Sequence, residues 1–373
     1  MKLGCYAEGA WVTSAGDGVP LRSAVNGDVI AEASSAGLDY GAMIGYARRT
    51  GGAALRKMTF HDRAFMLKAL AQYLMEHKKE FYELSTQTGA TRKDSWIDID
   101  GGISTLFVYS SKGRREMPND HVYVDGPPEL LSRNGTFTGQ HIYLPLRGVA
   151  VHINAYNFPC WGMLEKLAPT LLAGMPAIVK PATSTAYLTE LMVRRIIDSG
   201  LLPEGALQLI CGSVGDMFDH LNCQDIIAFT GSKSTAEYLQ QHQNVIDQSV
   251  RFTAETDSLN CSILGPDATP GTPEFDLYVK EVVNEISTKA GQKCTAIRRI
   301  IVPDTLSGDV VDALSTALGK LTVGNPANKD TDIGALASLD QREEAVSYTH
   351  LRAHETKTRI SGCGVWVLEG GGG

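Results

Sequence analysis

Apolar residues recur at two different periods along this chain. Between residues 60 and 87, Phe65, Leu67, Leu70, Leu74 and Phe81 recur near helical spacing, which predicts an amphipathic helix with charge on its outer face. From about residue 147 short β-rich runs alternate with helical stretches. Gly148-Val149-Ala150-Val151-His152-Ile153 reads as strand, Trp161 to Leu172 as helix ending at Gly174, and Ala177-Ile178-Val179-Lys180 as a strand stopped by Pro181. Tyr187 to Ile197 reads as helix, closed by Ser199-Gly200 and followed by Pro203. Leu207 to Cys211, Asp225 to Phe229 and Val250 to Thr253 read as strands. Strands joined by helices of this length imply βαβ units around a parallel sheet, so the fold class is α/β. Residues 126–147, with Gly126-Pro127-Pro128, Thr136-Phe137-Thr138 and Ile142-Tyr143-Leu144, read as an extended hairpin excursion from that domain.

Near the end the pattern fails. Gln341-Arg342-Glu343-Glu344-Ala345 is helix-like, but Ser347-Tyr348-Thr349-His350-Leu351-Arg352-Ala353-His354-Glu355-Thr356 breaks it and resembles a translated sequencing-library adapter. A divergent natural loop and tail is the alternative. On the adapter reading residues 347–373 stand outside the fold.

Composition narrows the partners. A chain of 373 residues suits two domains, and 43% hydrophobic residues permit a sizeable core. The net charge of −8, with no basic block, argues against nucleic acid as a partner. The apolar runs fall far short of a membrane span, and the N-terminal residues lack the apolar stretch of a signal peptide. The cysteines are Cys5, Cys160, Cys211, Cys223, Cys261, Cys294 and Cys363; their odd number and the lack of CxxC spacing fit a reducing, cytoplasmic setting and no metal cluster.

The chemistry centres on Cys294, in Ala290-Gly291-Gln292-Lys293-Cys294-Thr295-Ala296. A thiol acts as a nucleophile only as thiolate, which requires a polar, partly open site. Asn157 follows the first strong parallel strand, and ligands gather at the carboxyl ends of such strands; an asparagine there can aim its amide at a reacting oxygen, or simply form a turn. Lys180, at the next strand end, can reach a ribose hydroxyl or a phosphate, or stay solvated. Phe229-Thr230-Gly231-Ser232 is strand, tight turn and helix start, where backbone N–H groups meet a pyrophosphate; Cys211-Gly212-Ser213-Val214-Gly215 is a second glycine turn. Each also reads as an ordinary βα turn. Glu255 can draw a proton from water, or be a plain surface glutamate.

In this order and spacing the residues resemble the aldehyde dehydrogenase superfamily, over roughly residues 8–346. The resemblance places Asn157 at the family's Asn-Phe-Pro oxyanion position, Lys180 at the ribose-binding lysine, Gly231 and Ser232 at the pyrophosphate turn, Glu255 at the general base and Cys294 at the nucleophile. Glu255-Thr256-Asp257-Ser258 departs from the usual Glu-Leu-Gly-Gly. That variant, with Asn157-Phe158-Pro159-Cys160-Trp161-Gly162-Met163, resembles the branch serving phenylacetate breakdown, in which such a dehydrogenase is joined to a C-terminal hydratase domain acting on an oxepin thioester of coenzyme A. That half, and the family's later Glu-x-Phe-Gly-Pro segment, are absent, so the resemblance implies a truncated form.

The implied fold is a Rossmann-type parallel-sheet cofactor domain, residues 1–125 and 148–258, with an oligomerisation hairpin at 126–147. A truncated α/β catalytic domain follows at 259–346. It should leave an unpaired sheet edge and hamper the homo-oligomer expected of the family. The implied reaction oxidises an aldehyde, carried on a coenzyme A thioester, to the acid. Cys294 attacks, the Asn157 amide and the Cys294 N–H hold the oxyanion, hydride passes to the nicotinamide, and Glu255 activates the hydrolytic water. Where many NAD-preferring relatives carry glutamate three residues after the lysine, this chain has Thr183, which implies NADP at least as readily as NAD. Gly212 and Gly215 join Lys180, Thr183, Gly231 and Ser232 as cofactor candidates. Two alternatives stay open: an inactive fragment, and a cysteine acyltransferase or hydrolase without redox chemistry. The latter needs a histidine base, for which His152 is the only histidine near a motif, and it sits mid-strand.

Overall fold

A computed structural model of the chain describes residues 2–14, 16–352, 358–360 and 365–369, with side chains described as far as residue 346. The chain divides into two compact units: Met1–Leu21, Ile30–Phe81 and Ile97–Thr256 form the first, and Arg22–Val29, Tyr82–Trp96 and Asp257–Gly373 the second.

In the first unit the described strands build a seven-stranded sheet. Its order is Arg251–Glu255, Ile226–Thr230, Ala150–Ile153, Ala177–Lys180, Leu207–Leu209, Gly4–Ala7 and Ala10–Thr13. The first five run parallel; Gly4–Ala7 joins Leu207–Leu209 antiparallel and turns back on Ala10–Thr13. This is the α/β architecture expected from the alternation of periods. Ala150–Ile153 is buried along its whole length, as a central parallel strand covered on both faces must be. Val149, Val151, Ile153, Ile178, Ile210, Ile227 and Phe229 form the core beside it with Met43, Ile44 and Val245.

The long helix is Phe60–Ser85. Its buried stripe holds Leu67, Leu70, Leu74 and Phe81, but Phe65 is 54% exposed, with the Arg114 guanidinium over its ring at 5.4 Å. The expected placing of charge outside also fails at Arg63. That side chain is fully buried and donates to the carbonyls of Leu172 (2.8 Å), Leu55 (3.1 Å) and Met58 (2.6 Å). Helix periodicity counts Phe65 as core because of its chemistry; the angle it subtends from Leu67 puts it on the other face.

His152 lies where expected, mid-strand and 1% exposed, with Nε2 in hydrogen-bond contact with Thr170 Oγ1 (3.1 Å). Burial, reinforced by the nearby Lys166 charge, pushes its pKa down to about 3. The unfolded chain takes up that proton near pH 6.5, so the stabilising neutral state is fully present above that pH and is lost as pH falls towards 3. The expected slope is up to ~1.4 kcal/mol per pH unit for this group. Denaturant unfolding from pH 7 to pH 4.5 should show it, and the slope should flatten in His152→Gln. Equal slopes in parent and variant would show that His152 is not its source.

The expected hairpin is present as Tyr123–Leu130 and Thr138–Tyr143, a two-stranded sheet of its own. Val124, Leu130, Leu131, Phe137, Ile142, Tyr143 and Leu144 are exposed on and beside it.

In the second unit, Asn260–Ile263 and Ile297–Pro303 pair in parallel. The helices Pro273–Ser287 and Ser307–Leu318 supply Phe275, Val282, Val310 and Leu314 to a core with Ile300 and Val302. Three expectations are corrected here. The helix starting at Leu339 does not break after 346 but runs to Arg352. Its sequence there carries neither proline nor glycine. Ile297–Pro303 is not left as an edge, because the β-prone run Val365–Glu369 lies antiparallel beside it and Thr358–Ile360 beside that. The rest of the supposed tail, 353–357, 361–364 and 370–373, lies outside the described residues. Finally, residues 22–29 and 82–96 belong with the second unit and not with 1–125. The Ala24 N–H donates to the Gln87 carbonyl (2.8 Å), and the Lys289 N–H to Asp94 Oδ1 (2.7 Å).

Candidate active site

The singled-out residues fall in both units. Asn157, Lys180, Thr183, Gly212, Gly215, Gly231, Ser232 and Glu255 lie in the first, Cys294 in the second.

In the first unit they collect at the carboxyl ends of parallel strands. Asn157 is half-buried in the loop between the strand Ala150–Ile153 and the helix Pro159–Leu172. Its Oδ1 accepts the Phe158 N–H (3.1 Å). That bond fixes which end of the amide turns inward on its own loop and leaves Nδ2 as the donor for an outside oxygen. Phe158 gives the helix no side-chain cap. Asp98 replaces it, with Oδ1 accepting the N–H groups of Cys160 (3.0 Å) and Trp161 (2.8 Å). Thr185 Oγ1 donates to the Tyr156 carbonyl (3.2 Å) and so ties the Asn157 loop to the turn after Lys180.

Lys180 ends its strand in register with Ile153, and its carbonyl accepts the Asn154 N–H (3.0 Å). Burial holds its ammonium pKa below the usual lysine range, with Cys211 acting in the opposite sense. A desolvated cation of this kind gains most from an anionic or hydroxyl-rich ligand. Thr183 opens the short turn Thr183–Thr185, whose N-cap position is Ala182, a residue with no side-chain group to cap it.

Gly231 and Glu255 are brought together: Thr230 and Glu255 are register partners, and the Gly231 N–H donates to the Glu255 carbonyl (3.1 Å). Glu255 is exposed at its strand end. Ser232 caps the helix Lys233–Gln240, its Oγ accepting the Thr235 N–H (3.3 Å). The edge fits a dinucleotide on one further observation. Thr230 Oγ1 and both amide atoms of the buried Asn154 lack hydrogen-bond partners among the described residues, and such groups are costly unless something polar meets them. Gly212 and Gly215 have a different reason for being glycine. A Cβ at Gly212 would stand 2.6 Å from the Ser35 backbone nitrogen. At Gly215, where φ is +49°, it would stand 2.3 Å from the Tyr40 ring. Ser35 Oγ and Tyr40 OH both donate to the Ser213 carbonyl at 2.9 Å, so this turn is filled by the protein's own loop.

In the second unit Cys294 is exposed and no disulfide joins the described cysteines. Its carbonyl accepts from Ser258 Oγ and from Asn260 Nδ2, and Asn260 Nδ2 also donates to the Ala296 carbonyl (3.1 Å). Ser258 stands where the resemblance leads one to expect glycine, so the departure from Glu-Leu-Gly-Gly places a hydroxyl on the Cys294 backbone. Ser258, Asn260 and Asp98 were missed because no period or motif marks them; the Ser258 departure was the one available signal.

The aldehyde dehydrogenase family model matches residues 11–366. The chain is 44% identical over 346 residues to the 3,4-dehydroadipyl-CoA semialdehyde dehydrogenase of Aromatoleum evansii, covering 92% of this chain and 67% of that protein. This chain belongs to the aldehyde dehydrogenase family. Other curated relatives are more distant: the α-ketoglutarate semialdehyde dehydrogenase of Haloferax volcanii is 27% identical, covering 96% of this chain and 72% of its own length. Solved structures share the fold. The betaine aldehyde dehydrogenase of Staphylococcus aureus in complex with NAD+ superposes with a TM-score of 0.82 at 23% identity, over 95% of this chain and 68% of that one. A 3,6-anhydro-L-galactose dehydrogenase in complex with NAP superposes at 0.83 and 21% identity, over 99% and 76%. Among the described residues no helix is long and apolar enough to cross a membrane.

Proposed function

We propose that this aldehyde dehydrogenase oxidises the semialdehyde of a coenzyme A thioester to the carboxylic acid, through a thioester on Cys294. The observation that carries the reading is the exposed Cys294 thiol on a backbone anchored by Ser258 and Asn260, in a chain 44% identical to a CoA-semialdehyde dehydrogenase. The Cys294 thiolate adds to the aldehyde carbon. The Asn157 Nδ2 group and the Cys294 N–H donate to the oxygen that becomes negative; each such donor typically contributes ~100- to 1000-fold to rate. Bound NAD(P) supplies the hydride acceptor. Lys180 and the turn at Gly231 and Ser232 hold the coenzyme. Glu255 takes a proton from the water that cleaves the thioester, which frees the acid and returns the thiol. The acyltransferase alternative loses its base, since His152 is buried, neutral and engaged with Thr170. The exposed apolar hairpin at Tyr123–Tyr143 supports self-association into a homo-oligomer, and the setting we propose is the cytoplasm.

Glu255→Gln separates the two halves of this reaction. The variant should form reduced coenzyme in a rapid burst of about one equivalent per subunit, then turn over roughly 100-fold more slowly than the parent. Stopped-flow absorbance of the reduced coenzyme reads both phases. Unchanged steady-state turnover would falsify the role of Glu255.

A further inference from the structure

The backbone leading to Cys294 passes through three consecutive left-handed residues: Lys289 (φ 54°), Ala290 (φ 52°) and Gly291 (φ 74°). Glycine adopts this region freely, but two side-chain-bearing residues in a row do so only when their surroundings over-determine them. The surroundings are specific. The Lys289 N–H donates to Asp94 Oδ1 at 2.7 Å, and the other Asp94 oxygen is itself pinned by the Thr91 N–H (2.9 Å) and Thr91 Oγ1 (2.8 Å). The Lys289 carbonyl accepts the Gln292 N–H (3.0 Å) and Gln292 Nε2 (2.9 Å), while Gln292 Oε1 accepts the Ala337 N–H (2.9 Å). Lys289 Nζ reaches Thr88 Oγ1 at 2.8 Å. Asp94, Lys289 and Gln292 are all nearly inaccessible to solvent. The Asp94 carboxylate therefore makes a charge-assisted bond to the first N–H of a turn that its own residues disfavour, five residues before the nucleophile.

We infer that Asp94 is a positioning residue for Cys294: its carboxylate holds the left-handed Lys289–Gly291 turn that delivers the thiol. The inference rests on Cys294 being the nucleophile of the proposed oxidation. It also explains why a residue in the segment 82–96 is fixed so firmly beside a motif nearly two hundred residues later.

The test uses Asp94→Asn and the double variant Asp94→Asn/Ala290→Gly. The glycine makes the left-handed conformation intrinsically acceptable, so the carboxylate is no longer needed to enforce it. Asp94→Asn should lower kcat for aldehyde oxidation about tenfold with the coenzyme Kd unchanged, and should shift the pH profile of Cys294 alkylation by iodoacetamide. Ala290→Gly in the same chain should restore both. A role confined to capping the short Arg92–Ser95 helix predicts no rescue, because glycine at position 290 eases only the left-handed backbone of the turn and supplies no cap. A double variant as impaired as the single one, or a single variant with the parent's alkylation profile, overturns the inference. If Asp94→Asn does not fold, recovery of folding in the double variant supports it and failure to recover overturns it. Alkylation needs no aldehyde, so the thiol readout decides the matter even if the parent proves not to oxidise CoA-linked semialdehydes.

Discussion

Cys294→Ala should abolish aldehyde oxidation and leave coenzyme binding intact. Removing the group that forms the covalent bond leaves only the oxyanion donors and the binding energy, so turnover should fall by at least about 10⁴-fold. The fold should not suffer. The side chain is exposed, and two hydrogen bonds that anchor this residue, from Ser258 Oγ and Asn260 Nδ2, fall on its backbone carbonyl, which alanine keeps. The residues proposed to hold the coenzyme sit on strand ends of the other unit, with hydrogen bonds of their own. Kd for NADP by fluorescence titration and the melting temperature should therefore match the parent. Iodoacetamide labelling, mapped by mass spectrometry, should lose one site; the exposed Cys223 and Cys261 provide the internal control. Retention of more than about one hundredth of the turnover would remove Cys294 from the chemistry, since a nucleophile cannot be dispensable at that level.

The sequence disclosed most of the first unit because its strands are short, apolar and separated by helices of clear period. Ala177–Lys180 was located to the residue, and the helix at Pro159–Leu172 to within two. The candidate site residues stand out in the sequence for a different reason: Asn157, Glu255 and Cys294 lie inside motifs that together are far more specific than any one of them. What stayed hidden is what periodicity cannot encode. The buried Arg63 meets the hydrogen-bonding needs of three carbonyls, those of Leu55 and Met58 just before it and that of the distant Leu172, against the charge rule for a helix surface. The bonds from Asp94 to Lys289 and from Asp98 to the helix at Pro159 join segments far apart in sequence, and a single aspartate carries no signal of its target. Residues 22–29 and 82–96 group with the second unit through bonds to segments far along the chain, which periodicity within a window does not register. For Gly212 and Gly215, a glycine turn after a strand leaves two readings open, and the close approach of Ser35 and Tyr40 gives each glycine a packing reason that the sequence does not display.

Thr183→Glu should convert an enzyme that accepts NADP at least as readily as NAD into one that prefers NAD. Thr183 opens the turn after Lys180 and is half-buried, and its hydroxyl is a neutral group able to donate to a phosphate oxygen. Lys180 stands three residues earlier at the strand end, with a partly desolvated ammonium. A phosphate on the ribose 2′ oxygen would meet a cation and a neutral donor. A glutamate at this position would meet that phosphate with a like charge, and would instead accept hydrogen bonds from the two free hydroxyls of NAD. Hydrogen bonds to charged groups contribute roughly 1.5–3 kcal/mol, which corresponds to about a tenfold to hundredfold change in coenzyme preference. The measurement is kcat/KM for both coenzymes in the parent and in Thr183→Glu, at fixed ionic strength because exposed charges are screened by salt. The ratio of NADP to NAD should fall at least tenfold in the variant. A parent that prefers NAD tenfold or more, or a variant whose ratio does not move, would place the coenzyme's phosphate recognition elsewhere than at Thr183 and Lys180.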